Sequence, residues 1–151
     1  MPTHFTGSRA ERRTLDTFIK LTRCTNSLFM RLTERNTLGD ITPSQFAVLE
    51  ALYHLGSMTQ GEVSTKVLKS GSNMTTVIDN LERDGLVKRE RDAQDRRVIH
   101  VHLTEAGSGK VEAVLPGHIA ALVEEFSVLS ATEQSKLGEL CKKLGKGQES
   151  E

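Results

Sequence analysis

The hydrophobic pattern of this chain changes period at Asp84-Gly85, and that change restricts the possible folds more than any other feature. Upstream, in "SNMTTVIDNLERDGL", Met74, Val77, Ile78 and Leu81 fall at i, i+3, i+4 and i+7, the stripe of a helix that buries one face. Downstream, Leu86 to Arg91 and Val98 to Leu103 read as strands around the charged loop Asp92 to Arg97, a hairpin that turns Ile99, Val101 and Leu103 toward the core. A helix must therefore feed directly into a hairpin. On the helix, the positions farthest from the stripe are Ser72, Thr76, Asp79 and Arg83, flanked by Asn73, Thr75 and Asn80. These are small and polar, whereas a plain solvent face favours Lys and Glu.

Three further helix starts are marked by a hydroxyl followed three residues later by Glu or Gln: Thr42 with Gln45, Thr59 with Glu62, and Ser130 with Glu133. Pro43 suits the first helical position, where its missing N–H costs nothing. The spacing predicts helices over Pro43 to Leu55 and Gln60 to Leu68. A long first helix is expected from Ser8 to Asn36, with Leu15, Phe18, Leu21, Thr25, Leu28 and Leu32 in its apolar stripe. From Thr104 a helical pattern carries Val111, Leu115, Ile119, Leu122, Phe126 and Leu129, with a kink expected at Pro116-Gly117. A last helix carries Leu137, Leu140 and Leu144, and the tail from Gly145 reads as frayed.

A chain of 151 residues, 36% hydrophobic, suits one domain that buries ~68–70% of the surface its unfolded form exposes. Cys24 and Cys141 lie far apart with no Cys-x-x-Cys spacing, against a disulfide framework or a structural zinc site. No signal-peptide pattern and no membrane-length apolar run is present, so a cytoplasmic protein is expected. Net charge is zero, yet residues 83–97 hold six basic side chains against four acids, so positive charge is gathered at one place.

Short helix, tight turn, polar-faced helix and basic hairpin make a helix-turn-helix with a wing, a mainly α, α+β architecture of six helices. In such a motif the second helix enters the major groove and meets base edges with its N-terminal residues. Here those are Ser70, Ser72, Asn73, Thr75 and Thr76, with Arg83 farther along; Asn can read adenine, and Ser or Thr can bond either base type. At the hairpin tip Arg96 and Arg97 follow Asp95; arginine meets enhanced negative potential in a narrow minor groove, and a neighbouring carboxylate can preset its rotamer. Asp95 is expected to orient Arg97, and Lys88, Arg89 and Arg91 to contact phosphates.

The segments "SGSNMTTVIDNLERDGLVKRERDAQDRRVIHVHLTEAG" and "ITPSQFAVLEAL", with the Asp-x-Arg wing signature followed by Leu-Thr-x-x-Gly, resemble the MarR family of bacterial transcription regulators over nearly the whole chain. The resemblance implies a homodimer in which residues 8–36 and 104–145 form the dimerisation helices, with 41–103 as the DNA-binding region. The apolar stripes outside the winged core agree, since surplus seams of that length need a partner. A two-fold dimer implies a pseudo-palindromic operator on double-stranded DNA.

"AQDRRV" and "LPGHIAAL" are most similar to the branch that represses genes for handling quinones and other aromatic compounds, which implies a small phenolic or aromatic effector. Ligand positions in the family imply Phe18, Thr22, Thr25 and Tyr53 as candidate pocket walls, although packing accounts equally well for Phe18 and Tyr53. Some relatives sense peroxide through a first-helix cysteine. Counting back from Thr42-Pro43 puts that position near Phe18, so Cys24 reads as a small buried residue, with redox sensing the alternative.

His100 and His102 project to one side of a strand without a third ligand at a confirming spacing, and read as exposed polar groups of the wing. No nucleophile motif or phosphate cradle is present, so no enzyme, cofactor or metal is expected. The sequence points to a DNA-binding repressor released by an aromatic ligand or oxidant. A metal-dependent or redox sensor, and a winged-helix module that binds protein instead of DNA, remain open.

Overall fold

The computed structural model describes residues 4–67 and 71–147. The elements are α1 (Arg9–Glu34), α2 (Pro43–Leu55), β1 (Met58–Thr59), α3 (Gln60–Val67), α4 (Gly71–Arg83), β2 (Val87–Arg91), β3 (Ile99–Leu103), α5 (Glu105–Phe126) and α6 (Ala131–Lys146). This is a mainly helical winged-helix fold of six helices and one antiparallel sheet. The three anticipated capping boxes are formed at Thr42, Thr59 and Ser130. A fourth, Ser8 with Glu11, starts α1.

Residues Thr37–His118 form one compact unit. Its sheet has the order β1-β3-β2, with Met58 opposite Val101 and Arg89 opposite Val101 from the other side. β1 has only two residues, too few to show a period, so the sequence gives the hairpin and not the third strand. The core is made of Phe46, Val48, Leu49 and Leu52 from α2, Val63 from α3, Met74, Ile78 and Leu81 from α4, Val87 and Val101 from the sheet, and Val111 from α5, with Ile41 and Met58 completing it. Val101 is the buried member of its strand, while Ile99 and Leu103 are half-buried.

Two glycines set the geometry between α4, the wing and α5. Gly85, at φ +74°, ends α4; its N–H donates to the Glu82 carbonyl and the Leu86 N–H reaches back to Leu81, a left-handed cap that glycine adopts at least cost. Gly107 lies where an added Cβ would stand 2.1 Å from the Leu86 carbonyl oxygen and 2.7 Å from Leu103 Cδ1. The intervening Thr104 hydroxyl donates to the Gly85 carbonyl at 2.7 Å and accepts from the Gly107 N–H at 3.1 Å. The Leu-Thr-x-x-Gly segment thus fastens the end of the wing to the start of α5.

The described residues of 1–36 and 119–151 form the second unit. The boundary falls inside α5: Glu105–His118, expected with the dimerisation helices, lies in the unit of the winged core because Val111 is buried there and Val114 and Leu115 pack against it. α5 runs through Pro116, the position where a kink was expected, and the proline lies inside the helix. α6 continues to Lys146, so Gly145 is helical and not frayed, and Gly147 caps it at φ +69°. Neither α1 nor α6 has a buried residue. Arg31 donates to Glu125 at 2.6 Å and Arg35 to Glu124 and Glu125 at 2.6 and 2.8 Å, an ion cluster at the end of α1. Phe29, Met30, Val123, Leu140 and Leu144 are each more than half exposed.

Candidate DNA interface

α4 buries Met74, Ile78 and Leu81 and half-buries Val77, so its opposite face must point away from the core. Asn73, Thr75, Thr76, Asp79 and Arg83 are exposed there, and Asn80 is half-buried. Ser70 lies outside the described residues, and of Ser72 only the helical backbone is described. Arg83 pairs with the adjacent Asp84 at 3.3 Å in an exposed setting, where such pairs contribute little.

The wing tip is organised by its carboxylates. Asp92 Oδ1 accepts the backbone N–H groups of Gln94 and Asp95 at 2.8 and 3.0 Å, and its Oδ2 meets His100 Nε2 at 2.9 Å. The Asp95 amide, the His100 ring and the Gln94 amide, in that order, favour the ionised form and hold the Asp92 carboxyl down at about 2. Asp95 was expected to hold the Arg97 guanidinium; its Oδ1 instead accepts the Arg97 backbone N–H at 3.0 Å, so it shapes the turn and not the rotamer. Arg91 Nη1 donates to the Arg96 carbonyl at 3.1 Å and braces the same turn.

With both loop acids engaged by the turn itself, the Arg96 and Arg97 side chains project exposed and form no ion pair among the described residues, and neither does Lys88 on β2. Arg89 differs from the free cation expected of a phosphate contact. Its Nη1 pairs with Asp79 Oδ1 at 2.6 Å and Glu82 Oε1 at 3.3 Å, and its side chain is 19% exposed.

His100 and His102 are half-buried and bonded, where exposed groups were expected. His102 Nδ1 lies 2.8 Å from Ser57 Oγ and its Nε2 3.4 Å from Glu90. Among the described residues no three His, Cys, Asp or Glu side chains converge on a metal position. Cys24, expected to be buried, is exposed on α1, and Cys141 is exposed on α6. Of the candidate ligand residues, Phe18, Thr22 and Thr25 are exposed on α1, the Thr25 hydroxyl donating to the Leu21 carbonyl. Tyr53, on α2, donates to Glu112 Oε1 at 3.3 Å. An open groove of about 450 Å³ is lined by Thr59, Gln60, Gly61, Ser64, Arg97, Val98 and Ile99, and contains none of these four.

Sequence reasoning missed Asp92 and Gln60. Asp92 carries a readable signal, since an Asp two and three residues before its amide donors is the signature of a side-chain-closed turn. Gln60 carries none, because its partners Thr75 and Arg89 lie 15 and 29 residues away.

The MarR family profile matches residues 41–99, the stretch from the residue before Thr42 to the start of β3. The HTH-type transcriptional regulator MhqR of Bacillus subtilis (strain 168) is 34% identical over 133 residues, 88% of this chain and 92% of MhqR. The chain belongs to the MarR family. It is a MarR-type DNA-binding transcriptional regulator, and the family is one of regulators, not enzymes. The HTH-type transcriptional repressor MdtR of the same organism is 32% identical over 74% of this chain and 72% of its own length. Among solved structures, Bordetella bronchiseptica BpsR, whose DNA binding is regulated by 6-hydroxynicotinic acid, superposes with a TM-score of 0.73 at 25% identity, covering 83% of this chain and 98% of its own. The MarR fold thus accounts for all six helices and the wing. No single helix among the described residues is long and apolar enough to cross a membrane.

Proposed function

We propose that the protein is a cytoplasmic homodimeric repressor that seats α4 in the major groove of each half of a pseudo-palindromic operator and the wing in the adjoining minor groove. One observation carries this reading: Arg96 and Arg97 stand exposed, with no ion pair among the described residues, at the apex of a turn whose own acids, Asp92 and Asp95, are engaged by its backbone. Arginine so presented suits the strong negative potential of a narrow minor groove. Asn73, Thr75 and Thr76 then meet base edges, while Lys88 and the remaining donors of Arg91 meet phosphates. The exposed apolar residues of α1, α6 and the end of α5 support a second copy as partner, which presents two reading helices about one helical turn, roughly 34 Å, apart.

Release by a small phenolic or other aromatic compound follows the likeness to BpsR and the sequence resemblance to the aromatic-responsive branch. Exposure of Cys24 favours an oxidant as the second candidate input. Retention of promoter fragments across a salt series tests the core of the reading. Sequence-specific retention that weakens steeply with salt is expected. Absence of any retained duplex at moderate salt overturns it. Loss of the retained complex on adding hydroxylated benzoates or quinones, against loss on adding peroxide to wild type but not to Cys24→Ser, separates the two inputs.

A further inference from the structure

Arg89 reaches from the wing strand to the reading helix and to the helix before it. Besides its ion pairs with Asp79 and Glu82, its Nε donates to Gln60 Oε1 at 3.2 Å and its Nη2 lies 3.5 Å from the Thr75 carbonyl. Its main-chain N–H donates to Glu82 Oε2 at 2.8 Å. The other end of the same carboxamide, Gln60 Nε2, donates to Thr75 Oγ1 at 3.3 Å. A guanidinium can only donate, so the end of Gln60 that faces it must be the oxygen, and the end that faces Thr75 must be the NH₂. Arg89 therefore fixes which way the amide points, and the amide fixes a threonine hydroxyl on the exposed face of α4.

Resting on the DNA-binding reading above, we propose that Arg89 and Gln60 are positioning residues that set the base preference of Thr75 without touching DNA. A threonine hydroxyl otherwise samples rotamers and can donate or accept, which makes it a permissive contact. Held by Gln60, it offers the groove one arrangement of donor and lone pair.

The experiment selects duplexes from a randomised pool with full-length wild type, Thr75→Val, Gln60→Met, Arg89→Lys and Arg89→Met, alongside thermal unfolding and a salt series. Gln60→Met keeps the ion pairs of Arg89 and is expected to unfold with wild type. Gln60→Met and Arg89→Met should flatten preference roughly five-fold or more at one base pair per half-site, the one that Thr75→Val flattens. Arg89→Lys should restore the charge pairing but not the preference. The salt slope should match wild type in all four. A slope lowered by about one unit in Arg89→Met would mark a direct phosphate contact and overturn the proposal. So would uniform weakening across every position in Gln60→Met, or unchanged preference in that variant. If wild type itself selects no sequence, the DNA-binding reading fails and takes the proposal with it.

Discussion

Among the described residues, the unit Thr37–His118 holds thirteen of the fourteen buried hydrophobic side chains, Ala121 being the fourteenth, whereas α1 and α6 bury none. Both regions are rich in apolar side chains, so composition does not separate them. In the first, stripes from α2, α3, α4 and α5 converge on the sheet and cover one another. In the second, Phe29, Val123 and Leu144 remain 60–66% exposed. Helical propensity alone stabilises a long helix marginally in water, and most helix stability comes from packing of its apolar face. The winged unit carries its own core; the terminal helices need a covering surface, which the proposed second copy supplies.

The largest effect should come from opening the winged core. Leu81→Ala removes a fully buried side chain from α4, and about 2–5 kcal/mol of stability should go with it, read as a lower urea midpoint than wild type at the same protein concentration. A shift below ~1 kcal/mol would mean the core is less tightly packed than its burial implies. Leu140→Glu tests the other region. It should weaken association by about 1.5–3 kcal/mol per side chain withdrawn from the interface, shift sedimentation toward the monomer, and lower operator affinity toward that of a half-site. Unaltered sedimentation at nanomolar concentration would leave the exposed face of α6 without the assigned partner.

How much of this was legible in sequence follows the same division. The α4 stripe, the capping boxes at Thr42, Thr59 and Ser130, and the Asp84-Gly85 stop are local signals, and each produced the element it announced. β1 escaped because two residues carry no period and its pairing with β3 is set by tertiary packing. Two polar wing residues were placed on the right element but make other contacts than expected. Asp95 bonds backbone where a guanidinium was expected, and Arg89 turns inward to Asp79 and Glu82 where phosphates were expected. Charge tells which residues gather; which acid and which of the four wing arginines meets which partner depends on strand register. Cys24 was misjudged for a related reason, since a stripe on α1 defines a buried face only when something covers it.

Within the winged unit the apical arginines can be separated from the apolar framework. Arg97→Ala should cost about 1–3 kcal/mol of operator affinity with the urea midpoint unchanged. Lys88→Ala should weaken binding evenly across sequences and lower the salt slope by about one unit. Both are read from binding isotherms at several salt concentrations. Full operator affinity in Arg97→Ala would move the minor-groove contact to Arg96 or remove the wing from the interface.

The smallest effect, and the one that sharpens the contrast between an apolar core and a charge-ordered tip, concerns Asp92. Its carboxyl is held at about 2, below its usual value near 4, because the ionised form accepts the Asp95 and Gln94 amides and meets His100. A depressed folded value means that the contribution of Asp92 is fully present above about pH 4 and is lost as pH falls toward 2. Amide exchange followed by NMR should therefore show protection of Gln94 and Asp95 falling between pH 5 and pH 2.5. A core amide such as that of Leu49, within α2 and away from the tip, should keep its protection and serve as the internal reference. In Asp92→Asn the neutral amide oxygen can still accept but lacks the charge that favours the bond, so protection at the tip should be low and flat over the same range. Tip protection that stays constant in wild type across that window would show that strand pairing, and not this carboxylate, orders the turn that presents Arg96 and Arg97.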